Sequence, residues 1–265
     1  MIDRIKAVGF DLDGTFLKTH VDYSKLGEAD KKVLLSHGVP FDEVYSEAFI
    51  KRPRYPILRW LEAHGRENEY QAISDEIDAA FTRVEIEFVD EAVPFPGSEE
   101  CLAELRSLGL KTGLLTRGSL EYAESALRHT GTREGFDVVM GRDHSSYDNA
   151  KPSPVAMREF AELLGVEPSE ILYIGDNLTD YMSAHGAGAL FAGVLTGSGR
   201  RELWESTDPS IIILEKAGDC ARLFRSRGRS PEACPAPCRK CSGTRSRAWT
   251  RRRCSIPGRS YPAGR

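Results

Sequence analysis

The sequence has no long apolar run. Nowhere in its 265 residues does it approach the roughly 20 uninterrupted apolar residues of a membrane-spanning helix. The first residues, MIDRIKAVGFDLDG, carry acids where a secretory signal has its apolar segment. These absences argue against a membrane-bound and against a secreted protein, and they predict a cytoplasmic protein with no membrane partner.

Cysteine is scarce over most of the chain. Residues 1–225 contain only Cys101 and Cys220, each alone in an apolar setting. Isolated cysteines of this kind are typical of buried thiols in cytosolic proteins.

Residues 1–225 are also poor in positive charge, with 25 basic against 39 acidic residues, whereas residues 226–265 have 11 basic residues and one acidic residue. The two parts carry formal charges of −14 and +10, which together make the net charge of −4. An acidic body repels nucleic acid, so any binding of RNA or another polyanion is expected from the last segment alone.

The last segment lacks Leu, Val, Phe and Met and is rich in Arg, Ser, Pro and Gly. It cannot bury a core of its own, and we predict a disordered basic tail over residues 226–265. The segment contains four thiols that offer an alternative zinc site, although their spacing is loose: Cys234, Cys238, Cys241 and Cys254. The abrupt change of composition also fits a non-native or frame-shifted terminus.

Elsewhere, short apolar segments alternate with helical patterns. The predicted strands lie at 5–10, 110–115, 136–140, 171–174, 190–194 and 211–214, and the predicted helices at 98–108, 120–130, 154–164 and 179–185. Strands separated by helices indicate βαβ units. We therefore predict an α/β fold with a doubly wound, Rossmann-like parallel sheet and a site at the carboxyl ends of its strands.

Residues 17–93 have a different pattern. Runs at 44–50, 57–63 and 72–89 place apolar residues at helical spacing among many charges, which predicts an α-helical insertion. The predicted domains are a core of residues 1–16 and 94–225, the helical insertion of residues 17–93 and the tail of residues 226–265.

Two carboxylates follow the first predicted strand. Asp11 and Asp13 are two residues apart, so they lie on the same side of an extended chain, and Gly14 ends the strand. Both can therefore face one site. The same Asp-x-Asp-Gly pattern is also found in ordinary loops and calcium-binding segments.

The second predicted strand ends in Thr116, Arg117 and Gly118. This places a hydroxyl and free backbone N–H groups at the edge of the sheet before a helix, a geometry suited to a phosphate. The alternative is that Thr116 simply caps the helix.

Two further polar segments lie beyond predicted elements. Pro152 keeps Lys151 out of the following helix and places its ammonium near the start of that helix, although a solvated loop lysine is the alternative. Asp176 follows another apolar strand, and the spacing to Asp180 brings both carboxylates to one face of the next helix. An aspartate that caps the helix is the alternative there.

In this order, the four segments closely resemble the haloacid dehalogenase superfamily, whose phosphatases show DxDGT, a strand-end Ser or Thr, a lysine and GDxxxD. The resemblance covers residues 7–195, and residues 94–109 resemble the PxPG-helix segment of the phosphoglycolate phosphatase-like branch. The insertion resembles the helical cap of that branch.

The resemblance implies that Asp11 is the nucleophile that attacks phosphorus and that Asp13 is the general acid and base. It also implies a Mg²⁺ ion bound by Asp11, the main-chain carbonyl of Asp13 and Asp176, with Asp180 orienting that shell or binding through water. Carboxylates and carbonyls are the hard oxygen ligands that Mg²⁺ prefers.

The remaining residues of the resemblance concern the phosphate. Lys151 would add positive charge next to the phosphoryl oxygens, and Thr116 with the backbone of Arg117 and Gly118 would hold them in place.

The resemblance therefore predicts a Mg²⁺-dependent phosphomonoester hydrolase that forms an aspartyl-phosphate on a small phosphate ester, with phosphoglycolate as the leading substrate. A β-phosphoglucomutase-like sugar phosphomutase is the nearest alternative, because both reactions protonate an alkyl or sugar oxygen. A catalytically vestigial protein that binds RNA or a partner through its tail is an alternative of another class.

Lys51, Arg52 and Arg54 form a basic cluster inside the acidic insertion. Related caps place their substrate-contacting loop there, so the cluster is a candidate contact for an anionic group of the substrate. A solvated charge run is the alternative.

Overall fold

The computed structural model describes residues 2–45 and 53–225, so Lys51, Arg52 and the predicted tail with its four cysteines lie outside the described residues. The strands in chain order are β1 (Ala7–Phe10), β2 (Leu17–Lys18), β3 (Val93–Pro94), β4 (Lys111–Leu115), β5 (Val138–Met140), β6 (Ile171–Gly175), β7 (Leu190–Val194) and β8 (Ile212–Leu214). The helices are α1 (Tyr23–Ser36), α2 (Phe41–Val44), α3 (Tyr55–Ala63), α4 (Tyr70–Ile86), α5 (Ser98–Ser107), α6 (Leu120–His129), α7 (Pro154–Leu164), α8 (Leu178–Ala187) and α9 (Arg201–Thr207).

Six of the strands form one parallel sheet in the order β5-β4-β1-β6-β7-β8. From the central strand β1 the chain moves outward through β4 and β5 on one side and through β6, β7 and β8 on the other. This arrangement confirms the predicted doubly wound α/β core. Since the order reverses at β1, the residues that follow β1 lie where such folds bind their ligands.

The two faces of the sheet are covered by different helices. In β1, Val8 and Phe10 pack with α5 and α6, whereas Ala7 faces α7. Gly9 and Gly113 allow the ring of Phe160 to lie directly on the sheet, because a Cβ at either position would approach that ring to 2.7 and 2.5 Å, respectively. Side chains that alternate between two apolar layers explain why the strands read as continuous apolar runs.

Helices α1 to α4 form the insertion between β2 and β3, which pair as a short antiparallel ribbon. Apolar residues of these helices make a cluster of their own, which includes Leu34, Ile57, Leu61, Ile73 and Ile77. Core and insertion nevertheless belong to one compact unit. The predicted boundaries at 16/17 and 93/94 remain a prediction.

Several elements differ from the sequence prediction. The strand predicted at 136–140 begins at Val138, and the sequence did not indicate β2, β3, α1 or α9 as separate elements. β2 and β3 have two residues each, which is too short for an alternating pattern, and α9 buries only Trp204. Across the described ranges, no helix is long and apolar enough to cross a membrane.

Candidate active site

The candidate site lies at the carboxyl end of the three central strands. Asp11 directly follows β1, and its main-chain N–H donates to the carbonyl of Ile174 at 2.9 Å. Because β1 pairs with β4 and β6 on its two sides, Asp11 lies between Thr116, which follows β4, and Asp176, which follows β6. The topology therefore brings together three segments that are far apart in the chain.

Lys151 is the central cation of the site. Its Nζ lies 2.6 Å from Oδ1 of Asp11, 2.6 Å from Oδ1 of Asp180 and 2.8 Å from the Tyr173 hydroxyl. That hydroxyl in turn donates to the Leu115 carbonyl at 2.7 Å. An ammonium has three protons, so these three acceptors hold the buried Lys151 in one position. Burial alone would lower the pKa of Lys151, but Asp11 and Asp180 raise it well above its usual value, so the amine stays charged.

Three buried carboxylates surround this ammonium. One oxygen from each of Asp11, Asp176 and Asp180 lies within 4.8 Å of the others. Burial raises the pKa of Asp11 against the opposing effect of Lys151, and burial together with Asp180 raises that of Asp176. Three carboxylates and one ammonium leave an excess of two negative charges. Oxygen ligands with this charge excess suit a hard divalent cation, a class that includes Mg²⁺.

Polar groups from two loops hold Asp176 in place. Its Oδ2 accepts hydrogen bonds from the Ser198 N–H at 2.6 Å and from the Ser198 hydroxyl at 2.8 Å, and the Thr15 hydroxyl donates to its Oδ1 at 3.3 Å. Gly14 adopts φ +77°, and a Cβ there would come within 2.8 Å of Asp176 Oδ2. The glycine after Asp13 is therefore needed both for the turn and for the approach to Asp176.

Asp13 lies outside the group of three carboxylates. Its Oδ1 accepts hydrogen bonds from the Thr19 hydroxyl and the Tyr122 hydroxyl, each at 2.6 Å. The side chain of Asp13 is therefore not among the clustered carboxylates, which agrees with the resemblance, in which Asp13 offers a metal its main-chain carbonyl. Desolvation raises the pKa of Asp13, while the two hydrogen bonds lower it. A carboxyl with a raised pKa suits a general acid.

The residues predicted to bind phosphate follow β4. The buried Thr116 hydroxyl accepts a hydrogen bond from the Gly118 N–H at 3.0 Å. The Arg117 side chain extends away from Thr116 and donates to the Lys151 carbonyl and, at 3.3 Å, to the Tyr147 hydroxyl. A cavity of about 620 Å³ is lined by Asp11, Asp13, Thr116, Arg117, Lys151, Asp176 and Asp180, together with other residues. Gly118 lines the adjoining cavity on the side of the insertion.

Arg54 lies elsewhere. Its guanidinium is 2% exposed and contacts Asp78 at 2.6 and 2.9 Å and the Ser74 hydroxyl at 2.6 Å. It does not line the cavity around Asp11. Since its charge is neutralised inside the insertion, the structure favours an internal role over the predicted contact with substrate.

Sequence reasoning missed Tyr122, Tyr173 and Ser198. Tyr173 carries a polar hydroxyl inside a buried, otherwise apolar parallel strand. This polar group could have marked Tyr173 as a site residue in the sequence. Ser198 follows β7 in a Gly-Ser-Gly loop, so the rule that sites gather at strand ends could have found it. Tyr122 lies in the first turn of α6 and is 109 positions from Asp13, and no local pattern indicates that contact.

Residues 5–188 match the family model of haloacid dehalogenase-like hydrolases. The chain belongs to this family. It is 30% identical over 219 residues to a phosphoglycolate phosphatase from Neisseria gonorrhoeae, an alignment that covers 80% of this chain and 90% of the relative. An N-acetylmuramic acid 6-phosphate phosphatase from Pseudomonas aeruginosa is 29% identical over 73% of this chain and 83% of its own length.

Among solved structures, a β-phosphoglucomutase from Clostridium difficile has the same fold. Its TM-score is 0.56 at 21% identity, with 84% of this chain and 96% of that one covered. The family match confirms the predicted superfamily, and with it the prediction that the chain is a hydrolytic enzyme.

Proposed function

We propose that this hydrolase is a Mg²⁺-dependent phosphomonoesterase that forms an aspartyl-phosphate on Asp11 and acts on a small phosphate ester in the cytoplasm. One observation carries the proposal: the Asp11 carboxylate, tied to Lys151 and next to Asp176 and Asp180, shares a cavity with the separately held carboxyl of Asp13. The phosphatase names of the two curated relatives agree with this chemistry. Cys101 and Cys220 are not isolated in the fold: their buried Sγ atoms lie 3.3 Å apart without a disulfide, which suits the reducing compartment of this proposal.

In the first step, Asp11 attacks phosphorus. Lys151 holds one of its carboxylate oxygens, which leaves the other to form the new bond to phosphorus. The bond from phosphorus to the ester oxygen breaks, and the leaving oxygen takes the proton of Asp13. Once ionised, a carboxylate needs no activating base, and the ammonium of Lys151 favours the ionised form of Asp11 against the effect of burial.

In the second step, Asp13 acts as a general base. Now ionised, it accepts a proton from a water molecule, which attacks phosphorus, breaks the aspartyl-phosphate bond and regenerates Asp11. Thr19 and Tyr122 both donate to Oδ1 of Asp13, so its second oxygen is the one available for these proton transfers.

The charge of the phosphate must be neutralised for attack by an anion. Lys151 supplies one positive charge, and Thr116 lies at the edge of the same cavity. When bound by Asp11, the Asp13 carbonyl and Asp176, Mg²⁺ supplies the further positive charge that phosphoryl transfer needs.

The test is to incubate the purified chain with a panel of phosphate esters with and without Mg²⁺. Mg²⁺-dependent release of inorganic phosphate is expected, together with a phosphoryl group on the Asp11 peptide in rapidly quenched samples analysed by mass spectrometry. An isomerised sugar phosphate without net phosphate release would show a phosphomutase. Absence of any reaction across the panel would contradict the proposal.

A further inference from the structure

A second cavity of about 240 Å³ adjoins the site on the side of the insertion. We call it the leaving-group chamber, and the charged residues in its walls are Asp13, Glu85, Arg117 and Arg142. If Asp13 protonates the leaving oxygen, as the proposed function requires, the rest of the leaving alcohol extends into the space next to Asp13. The chemistry of these walls then selects the substrate.

Most of the charge near the leaving-group chamber is internally paired. Arg142 donates to Glu85 at 2.5 Å and to Asp78 at 3.0 Å, and the second Glu85 oxygen accepts the Ser119 N–H at 3.2 Å. Arg54 is paired with the same Asp78. These two arginines therefore have carboxylate partners and little charge left for a ligand.

Arg117 differs from both. Its partners are neutral oxygens, the Lys151 carbonyl and the Tyr147 hydroxyl, and its guanidinium lies 5.8 Å from the centre of the Tyr147 ring. Among the residues that the structure describes, no carboxylate oxygen lies within 4.0 Å of its nitrogens. Arg117 is partly exposed and lines both the main cavity and the leaving-group chamber. Among the described residues, Arg117 is therefore the arginine of the chamber that has no carboxylate partner, and its positive charge is available to a ligand.

We propose that Arg117 binds a second anionic group, carried by the leaving alcohol, so that the preferred substrates are small phosphate esters bearing a carboxylate. A guanidinium binds a carboxylate through two parallel hydrogen bonds, and such pairs are strong where water is excluded. For Lys51 and Arg52, which lie outside the described residues, the contact with an anionic group stays a prediction.

The experiment compares two esters that differ in one group, 2-phosphoglycolate and 2-hydroxyethyl phosphate. The unaltered chain is expected to have the higher kcat/KM for phosphoglycolate. In Arg117→Gln, the ratio of the two kcat/KM values should fall by about tenfold or more, mainly through the KM for phosphoglycolate. Arg117→Lys should keep part of the preference, because it keeps the charge but loses the paired geometry.

Arg158→Gln is the matched control. Arg158 lies on the exposed side of α7 and also donates to a main-chain carbonyl, that of Gly186, at 3.4 Å. The two variants remove the same charge, so an unchanged ratio in Arg158→Gln excludes a general effect of net charge. Repeating the comparison at high salt tests long-range steering, which would be screened there.

An equal loss of kcat/KM on both esters in Arg117→Gln would overturn the inference, since Arg117 would then act on the transferred phosphate or on the fold. A bisphosphate, ethylene glycol bisphosphate, separates the two anion types. If its kcat/KM depends on Arg117 as strongly as that of phosphoglycolate, anion binding is supported and the restriction to carboxylates is overturned. If the unaltered chain releases phosphate from none of these esters, the proposed function fails, which is distinct from a failure of the role of Arg117.

Discussion

Two buried ionic clusters in this molecule differ in their charge balance. The first lies at the end of the sheet, consists of Asp11, Lys151, Asp176 and Asp180, and has three carboxylates for one ammonium. We call it the catalytic cluster, after the function proposed for it. The cap cluster, consisting of Arg54, Asp78, Glu85 and Arg142, joins α4 to the segments after β5 and before α3. It has two guanidiniums for two carboxylates.

This difference indicates that the catalytic cluster can bind a cation, whereas the cap cluster has a structural role. The cap cluster satisfies its own charges, so it needs no further ion and fastens the insertion to the core. The catalytic cluster is two charges short of neutrality, which makes it costly without a cation. Burial alone would therefore not distinguish the two clusters, but their charge balance does.

The largest expected effect comes from breaking the catalytic cluster. We expect Asp11→Asn to lower turnover by at least about 1000-fold, or about 4 kcal/mol in the barrier, because the amide cannot attack phosphorus. Without Mg²⁺, this variant should be at least as stable as the parent, since it removes one of the excess negative charges. Steady-state phosphate release and thermal unfolding measure the two quantities. The exposed Asp75→Asn is the control, and activity within tenfold of the parent would refute the assignment of the nucleophile.

Breaking the cap cluster should instead affect stability. Arg142→Met leaves Glu85 buried without its partner, and we expect the free energy of unfolding to fall by about 3–5 kcal/mol. Denaturant unfolding followed by circular dichroism measures this change. Adding Glu85→Leu in the same chain should recover most of the loss, because the unpaired charge is then removed.

The control for Arg142→Met is Arg128→Gln, which breaks an exposed ion pair with Glu124. Its effect should stay below about 1 kcal/mol. If Arg142→Met has an equally small effect, the cap cluster contributes no more than a surface ion pair.

Adding Mg²⁺ should increase the difference between the two clusters, because of the two only the catalytic cluster has excess negative charge with which to bind a cation. At a free Mg²⁺ concentration about 100-fold above its Kd, the folded state gains about 2.7 kcal/mol, seen as a higher Tm that EDTA reverses. Asp176→Asn should lose most of this gain, whereas Arg142→Met should keep it. A Tm that does not respond to Mg²⁺ in the parent would contradict the charge argument.

The pH dependence of Tm should change sign with Mg²⁺. Burial raises the pKa of both Asp11 and Asp176. Without the cation, the folded state therefore holds more protons than the unfolded chain, and its stability falls as pH rises through the raised pKa values. With Mg²⁺ the carboxylates must be ionised to bind, so the gain in stability grows over the same pH range.

The smallest effect concerns Asp13, next to the catalytic cluster. Tyr122→Phe removes one of the two donors to Oδ1 of Asp13, and we expect kcat to fall by about tenfold for an alkyl phosphate. An aryl phosphate, whose leaving group needs less help from an acid, should be less affected. Tyr181→Phe is the control, because its hydroxyl also contacts a carboxylate, that of Asp208, at 3.1 Å. An equal loss for alkyl and aryl esters would argue against a positioning role.

The sequence was sufficient for the sheet and for the residues that follow its strands. Asp11, Thr116 and Asp176 each come directly after an apolar run, and the parallel topology brings such positions together. The sequence was not sufficient to predict which arginines are neutralised by a carboxylate. In the fold, Arg54 pairs with Asp78, whereas Arg117 lines the cavity around Asp11.

The central position of β1 has a consequence for the order in which the chain acquires its shape during synthesis. β1 is made first, yet it pairs with β4, about a hundred residues later, and with β6, whose first residue is Ile171. The apolar cluster of the insertion comes from residues between Val33 and Ala80, so its contacts are closer in sequence and close sooner. On the ribosome, the insertion can therefore fold before β6 is available to pair with β1. The carboxylates of Asp11, Asp176 and Asp180 come together only after residue 180 has emerged.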